Sequence, residues 1–159
     1  MLTKQRAHIV LSARQWLGTP YVHQASCRGA GCDCLGLVRG VWRDLYGEEP
    51  ETTPAYAMDA DEWRGEGLLR QVLERYFEPT DKIALGSVLL FRWRSGLPAK
   101  HLGILCRPEN DHAPAKFIHA QNVSGVSEAW LDANWQRRLC AVFDFPTPNK
   151  IHPQFEEAQ

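Results

Sequence analysis

One cysteine and one histidine stand in the order that a thiol nucleophile and its base require. Cys34 lies within GCDCLGLV, which spans Gly31–Val38, and His101 opens the later stretch HLGI. A thiol attacks an acyl carbon only as its thiolate, and a free cysteine has a pKa near ~8.5. Because a helix N-terminus and a neighbouring imidazolium both lower that pKa, the two residues predict a thiol hydrolase.

The position of Cys34 depends on a helix predicted over 34–46. Apolar residues recur there at helical spacing, namely Leu37, Val38, Val41, Trp42 and Leu45. Asp33 is suited to accept hydrogen bonds from the amides of the first turn, and Gly47 is suited to end the helix. The thiol would then lie at the helix N-terminus, where the Cys34 backbone amide can donate to a developing oxyanion.

A second histidine can orient the first. Strand alternation along 101–106 and along 116–121 gives His101 and His119 defined faces. If these strands pair through the turn at 107–115, His119 lies beside His101 and can fix its tautomer. The sequence therefore predicts a triad of Cys34, His101 and His119.

The remaining pattern is helices first and strands afterwards. Helices are predicted over 4–17, 34–46 and 61–77, and strands over 88–91, 101–106, 116–121, 123–130 and 139–145. This order predicts an α+β fold in which N-terminal helices pack on an antiparallel sheet of about five strands. We expect one domain over 1–146 and a mobile tail over 147–159, where prolines end regular structure.

Length and charge exclude several classes of protein. A chain of 159 residues fits one domain, and its formal charge of −1 argues against nucleic acid as a partner. No run of 18 apolar residues exists, so no membrane span is expected. The N-terminus has positive charge without an apolar core, so we expect synthesis in the cytoplasm without a signal peptide.

The five cysteines allow a metal site as an alternative. Cys27, Cys32 and Cys34 with a distant histidine have ligand types that zinc accepts. Their spacing differs from the usual pair of CxxC knuckles, so we expect no metal and no cofactor. Cys106 and Cys140 lie in apolar segments, where a cysteine is usually a small buried residue.

Four motifs in order resemble the NlpC/P60 family of cell-wall peptidases. GTPY at Gly18–Tyr21 resembles the first signature, and DCLGLV at Asp33–Val38 resembles the nucleophile motif DCSGLV. HLGI at His101–Ile104 resembles the base motif HVGI, and FIHA at Phe117–Ala120 resembles the segment of the third polar residue. The order and spacing agree over about residues 7–145.

The resemblance implies a papain-like fold and cleavage of an amide in peptidoglycan stem peptides, typically at D-glutamate linked to a diamino acid. Cys34 would be the nucleophile, His101 the base and then the acid, and His119 the orienting residue. Tyr21, Asp33 and Leu35 would contact the oxyanion or the substrate. Tyr21 matches a family tyrosine, although a packing role after the Pro20 turn is the alternative.

Two departures concern the substrate cleft. Leu35 stands where many family members have serine, and residues 23–26 replace a common aromatic-Gly-Gly segment. Both positions are expected to border the cleft.

Longer stretches, Gly18–Gly47 and Arg137–Pro146, resemble the branch encoded with tail genes of phages and gene transfer agents. This branch implies phage-like tail or baseplate partners, a place in a virion or gene-transfer-agent tail, and action at the periplasmic cell wall. The alternative is a non-catalytic structural module of a tail tip. Three tryptophans, Trp93, Trp130 and Trp135, are candidates to line a surface for glycan or a partner protein.

Overall fold

The computed structural model describes residues 3–50 and 67–151, and it has an α+β architecture as predicted. Its helices are α1 (Thr3–Arg14), α2 (Cys34–Tyr46), α3 (Leu68–Tyr76), α4 (Ala133–Arg138) and α5 (Pro148–Ile151). Its strands are β1 (Ser26–Cys27), β2 (Gly31–Cys32), β3 (Glu78–Thr80), β4 (Val88–Phe91), β5 (His101–Arg107), β6 (Lys116–Gln121), β7 (Gly125–Trp130) and β8 (Leu139–Asp144).

The main sheet of the described residues has six strands in the order β3-β8-β4-β5-β6-β7. Every neighbouring pair in it is antiparallel. The strand beyond the five predicted is β3, a short edge strand that pairs with β8. The small β1–β2 hairpin, which was also not predicted, lies just before α2.

The core lies between α1, α2 and the sheet. Ile9 and Ala13 of α1 are fully buried, as are Leu102 and Ile104 of the central strand β5. Trp16 and Trp42 are buried as well, at 3% and 4% exposure. At Gly40 a Cβ would stand 2.0 Å from the Trp16 ring, so the glycine lets that ring lie against α2.

The first helix ends earlier than predicted, at Arg14 instead of residue 17. Gly18 adopts a positive φ of 84°, and its amide donates to the Val126 carbonyl. The Val126 amide donates in turn to the Thr19 carbonyl at 2.9 Å. Residues 15–17 form tighter turns with i→i−3 hydrogen bonds, and pairing with β7 begins at Gly18.

The third helix begins at Leu68, after Gly67, and ends before Phe77. The earlier part of its predicted range, with Trp63, lies outside the described residues. After β8 the chain forms α5, so regular structure continues past 146, contrary to the prediction. Pro148 opens this helix, where a missing N–H costs nothing, and residues 152–159 lie outside the described part. The domain boundary at 146 stays a prediction.

Across 3–50 and 67–151, no helix combines the length and the apolar content needed to cross a membrane.

Candidate active site

Cys34 is the first residue of α2, and Asp33 caps that helix as predicted. Asp33 has an extended backbone, and its Oδ1 accepts a hydrogen bond from the Gly36 amide at 2.7 Å. Its Oδ2 accepts a second from the Gln24 amide at 2.7 Å. The carboxylate thus ties the loop before β1 to the first turn of α2, and it fixes the position of the thiol.

Gly36 allows this close approach. A Cβ at Gly36 would lie 1.9 Å from the Ala25 carbonyl oxygen, which is a rigid backbone atom. Ser26 adds a side-chain hydrogen bond from Oγ to the Gly36 carbonyl at 2.6 Å. The loop therefore packs directly on the start of the helix that presents Cys34.

The structure brings His101 and His119 together, as the strand alternation predicted. β5 and β6 pair with Ile104 opposite Ile118, and Nε2 of His101 lies 2.8 Å from Nδ1 of His119. Both side chains are buried, at 5% and 1% exposure. When Nε2 of His101 is the donor in this bond, its Nδ1 has a lone pair that can accept a thiol proton.

Cys34 and His101 line one cavity of about 320 Å³, which is within the range of ligand pockets. The aromatic, polar and charged residues in its wall are Tyr21, His23, Asp33, Trp93, Lys100, Gln121 and Asn122. Apolar residues complete it: Leu68, Leu69, Ala120 and Val123. His119 stands behind His101 and is not part of the wall. The cavity is therefore a place where an acyl carbon can meet both the thiol and the imidazole.

Burial keeps the resting site neutral. Desolvation, with a smaller effect of the Asp33 charge, raises the pKa of the Cys34 thiol to about 12. Burial also lowers the pKa of His101 to about 3, aided by His119, and that of His119 to about 4. A helix dipole is typically worth only ~1 kcal/mol, which is less than such desolvation.

The expected resting thiolate beside His101 is therefore not what the structure shows. The Cys34 thiol instead donates to the Lys100 carbonyl, with Sγ and O 4.0 Å apart. A thiol and an imidazole that are both neutral can exchange a proton without changing the net charge of the pair.

Tyr21 lies in the cavity wall, and its hydroxyl is a hydrogen-bond donor. Burial, followed by the nearby Cys34 and Asp33, raises the Tyr21 pKa to about 12. The phenol therefore keeps its proton throughout the physiological pH range. A protonated hydroxyl near the nucleophile has the chemistry needed to donate to an oxyanion.

One of the predicted substrate contacts, Leu35, needs correction. Leu35 is only 2% exposed and packs in the main core, so its side chain has no access to the cavity. Asp33 does reach the cavity wall, but a carboxylate accepts hydrogen bonds and repels an oxyanion. In the structure it caps α2 and holds the Gln24 amide, and its contact with a substrate stays a prediction.

Two of the three tryptophans predicted to line a surface lie beside the histidines, a contact that the sequence did not predict. Trp93 follows β4 and stacks on His101, with ring centroids 5.2 Å apart. Trp135 lies on α4 and contacts both His101 and His119, at 5.6 Å and 5.2 Å. Asp132 accepts a hydrogen bond from the Trp135 amide and caps α4. A capping residue of this kind is the sequence signal that could have indicated the helix. Trp130, in contrast, is exposed on β7 and contacts Arg107 and Lys116.

The cysteines are all unpaired with one another. Cys32 is fully buried next to the site, whereas Cys27 is exposed. In the part of the chain that the structure describes, no three His, Cys, Asp or Glu side chains are gathered as metal ligands. The zinc alternative therefore has no geometric support. Cys106 is buried, as predicted, and Cys140 is half-buried against the core.

No protein-family model matches the chain, and no curated protein matches it. Solved structures do. A Staphylococcus aureus protein described as similar to a lipoprotein of the NLP/P60 family has 18% identity and a TM-score of 0.60, over 92% of this chain and 43% of its own. The NlpC/p60 domain of the peptidoglycan hydrolase SagA has 20% identity and a TM-score of 0.56, over 88% of this chain and 98% of its own.

A third structure is that of Ly7917 with the hydrolyzing product of MDP. It has 12% identity and a TM-score of 0.53, over 92% of this chain and 63% of its own. The chain therefore spans less than half of the Staphylococcus aureus protein and nearly all of the SagA domain. These likenesses show that the chain has the NlpC/P60 fold.

Proposed function

We propose that this protein is a cysteine peptidase of the NlpC/P60 family that hydrolyses an amide bond in peptidoglycan stem peptides. The observation that carries the proposal is one cavity lined by Cys34, at the start of α2, and by His101, whose Nε2 is bonded to His119. Two proteins with the same fold support the substrate class, since one is named a peptidoglycan hydrolase and the other was solved with a product of MDP.

The mechanism begins from the neutral pair. As Sγ of Cys34 attacks the carbonyl carbon, Nδ1 of His101 takes the thiol proton, and His119 holds the ring through Nε2. The backbone amide of Cys34 and the hydroxyl of Tyr21 donate to the oxyanion. The His101 imidazolium then protonates the leaving amine, and water hydrolyses the thioester with His101 again acting as the base.

The biological setting is proposed from sequence motifs. The resemblance of Gly18–Gly47 and Arg137–Pro146 to the phage and gene-transfer-agent branch supports a place in a phage-like tail. Its partners there would be tail or baseplate proteins. In that setting the enzyme would act on the periplasmic cell wall.

The proposal is tested by digestion of purified peptidoglycan, with released fragments identified by mass spectrometry. Cys34→Ser should abolish fragment release and leave the circular dichroism spectrum unchanged. Cys27→Ser, which changes an exposed thiol outside the cavity lining, should digest as the wild type does. Undiminished release by Cys34→Ser would refute the assignment of the nucleophile.

A second candidate is a non-catalytic structural module of a tail tip. It is favoured by the raised pKa of Cys34 and by the hydrogen bond of that thiol to the Lys100 carbonyl. Digestion of purified peptidoglycan separates the two. Fragment release that Cys34→Ser abolishes supports the peptidase, and no release by the wild type above a buffer control supports the structural module.

A further inference from the structure

Two tryptophans lie next to the ring of His101 and next to each other. Trp93, in the loop after β4, lies 5.2 Å from it at an interplanar angle of 30°, and Trp135 lies 5.6 Å from it at 31°. The two indoles are 5.9 Å apart, and Trp135 also meets His119 nearly at a right angle. We call Trp93 and Trp135 the tryptophan clamp.

The clamp already binds one cation. The Arg138 guanidinium lies 5.6 Å from the centre of the Trp93 ring and 5.4 Å from that of Trp135. The face of an indole attracts cations, and tryptophan does so better than the other aromatic residues. A protonated His101 would be a second cation against the same two rings.

Among residues 3–50 and 67–151, neither His101 nor His119 forms an ion pair with a carboxylate within 4.0 Å. In the described ranges, His23 with Asp33 is the histidine–carboxylate pair that lies within 4.0 Å, at 3.8 Å. Apart from His119, the titratable or charged groups of the described residues that line the cavity with His101 are Tyr21, His23, Asp33, Cys34 and Lys100. Arg138 contacts the same two tryptophans. Hydrolytic histidines are commonly oriented and charge-stabilised by a carboxylate. In the described part of the chain, the rings of Trp93 and Trp135 lie next to His101.

We propose that Trp93 and Trp135 are positioning residues that stabilise the protonated His101 ring through their faces, and that Arg138 competes with it for those faces. The proposal rests on the proposed function. In the step concerned, the proton of the Cys34 thiol moves to Nδ1 of His101, leaving a thiolate and an imidazolium. Stabilising the imidazolium increases the fraction of the pair in that reactive form.

The test is the rate at which iodoacetamide alkylates Cys34 at pH 7, measured by mass spectrometry of the whole protein and its peptides. The variants are Trp93→Leu and Trp135→Leu, each with its phenylalanine counterpart, and Arg138→Met. Trp130→Leu is the matched control, because that ring holds Arg107 at 4.8 Å and Lys116 at 4.3 Å outside the cavity lining.

The leucine variants should slow alkylation of Cys34 by about twofold to thirtyfold, from the usual strength of such contacts. The phenylalanine variants should lie between leucine and wild type. Arg138→Met should accelerate the reaction, because it removes the competing cation, and Trp130→Leu should leave the rate unchanged. Opposite effects of losing a ring and losing the arginine do not follow from packing alone.

Three results would overturn the inference: equal losses in the leucine and phenylalanine variants, a slower reaction in Arg138→Met, or wild-type rates in both leucine variants. If Trp135→Leu fails to fold, the Trp93 and Arg138 variants still test the proposal. Trp93 is 44% exposed, so its replacement leaves the core intact. If the wild type releases no fragments from purified peptidoglycan, the proposed function fails as well. Fragment release by the wild type, with wild-type alkylation rates in the variants, refutes the clamp alone.

Discussion

Replacing Asp33 with asparagine should separate its two effects on the site, because the carboxylate both holds the loop and raises the Cys34 pKa. The side chain is 2% exposed and accepts amide hydrogen bonds from Gly36 and Gln24, each at 2.7 Å. Asparagine retains one acceptor oxygen, so it can still cap α2 at Gly36. Its NH₂ group would then face the Gln24 amide, and two donors would oppose each other.

The loss of stability follows from the number of hydrogen bonds that each variant loses. A buried donor left without a partner costs about 1–3 kcal/mol, so Asp33→Asn should lower the free energy of unfolding by that amount. Asp33→Ala loses both acceptors and should cost about twice as much. The assay is urea denaturation followed by circular dichroism. Asp132→Asn is the control, because Asp132 caps the exposed helix α4 and its change should stay within about 0.5 kcal/mol.

The effect on the thiol has the opposite sign. The Asp33 charge raises the Cys34 pKa, so its removal should lower that pKa and increase the thiolate fraction, by about tenfold for each unit. Asp33→Asn should therefore be less stable and yet alkylate faster at Cys34 near neutral pH. A variant that is as stable as wild type, or whose Cys34 reacts more slowly, would refute this account of Asp33.

Three further outcomes are expected. Tyr21→Phe should lower kcat on peptidoglycan by roughly a hundredfold to a thousandfold, the usual loss for one oxyanion donor. The rate of Cys34 alkylation should stay unchanged. A kcat equal to that of the wild type would show that Tyr21 has no part in the mechanism. The pKa values of His101 and His119 fall to about 3 and 4 on folding, so below pH 6.5 the unfolded chain binds more protons than the folded one. The free energy of unfolding in urea should therefore decrease as pH falls from 6.5 towards 4. His119→Leu should reduce that slope by about 1.4 kcal/mol per pH unit, and an unchanged slope would contradict the burial argument. Leu35→Ser should lower the free energy of unfolding by about 2–5 kcal/mol because the side chain is in the core, whereas a stability equal to wild type would return Leu35 to the cleft.

Local patterns in the sequence were enough to predict the α2 helix, its Asp33 cap and the pairing of the histidine strands. Each depends on interactions between residues close in the chain or on the simple alternation of a strand. The 3.6-residue periodicity placed Cys34 at the start of a helix. The two-residue periodicity gave His101 and His119 the faces on which they meet.

The burial of individual side chains required the tertiary structure. Leu35 is adjacent to the nucleophile in sequence, yet its direction on α2 takes it into the core. The α4 helix has six residues, too short for a periodic signal, and it brings Trp135 to the histidines from a distant part of the chain. Neither fact follows from residue type or spacing.

The sequence by itself determined which groups are available for chemistry: a thiol that begins a helix and two histidines that share a strand pair. The tertiary structure decided their ionisation and their surroundings. Burial of Cys34, His101 and His119 outweighs the helix dipole and leaves all three neutral at rest. That outcome depends on desolvation by the whole fold, which no local pattern encodes.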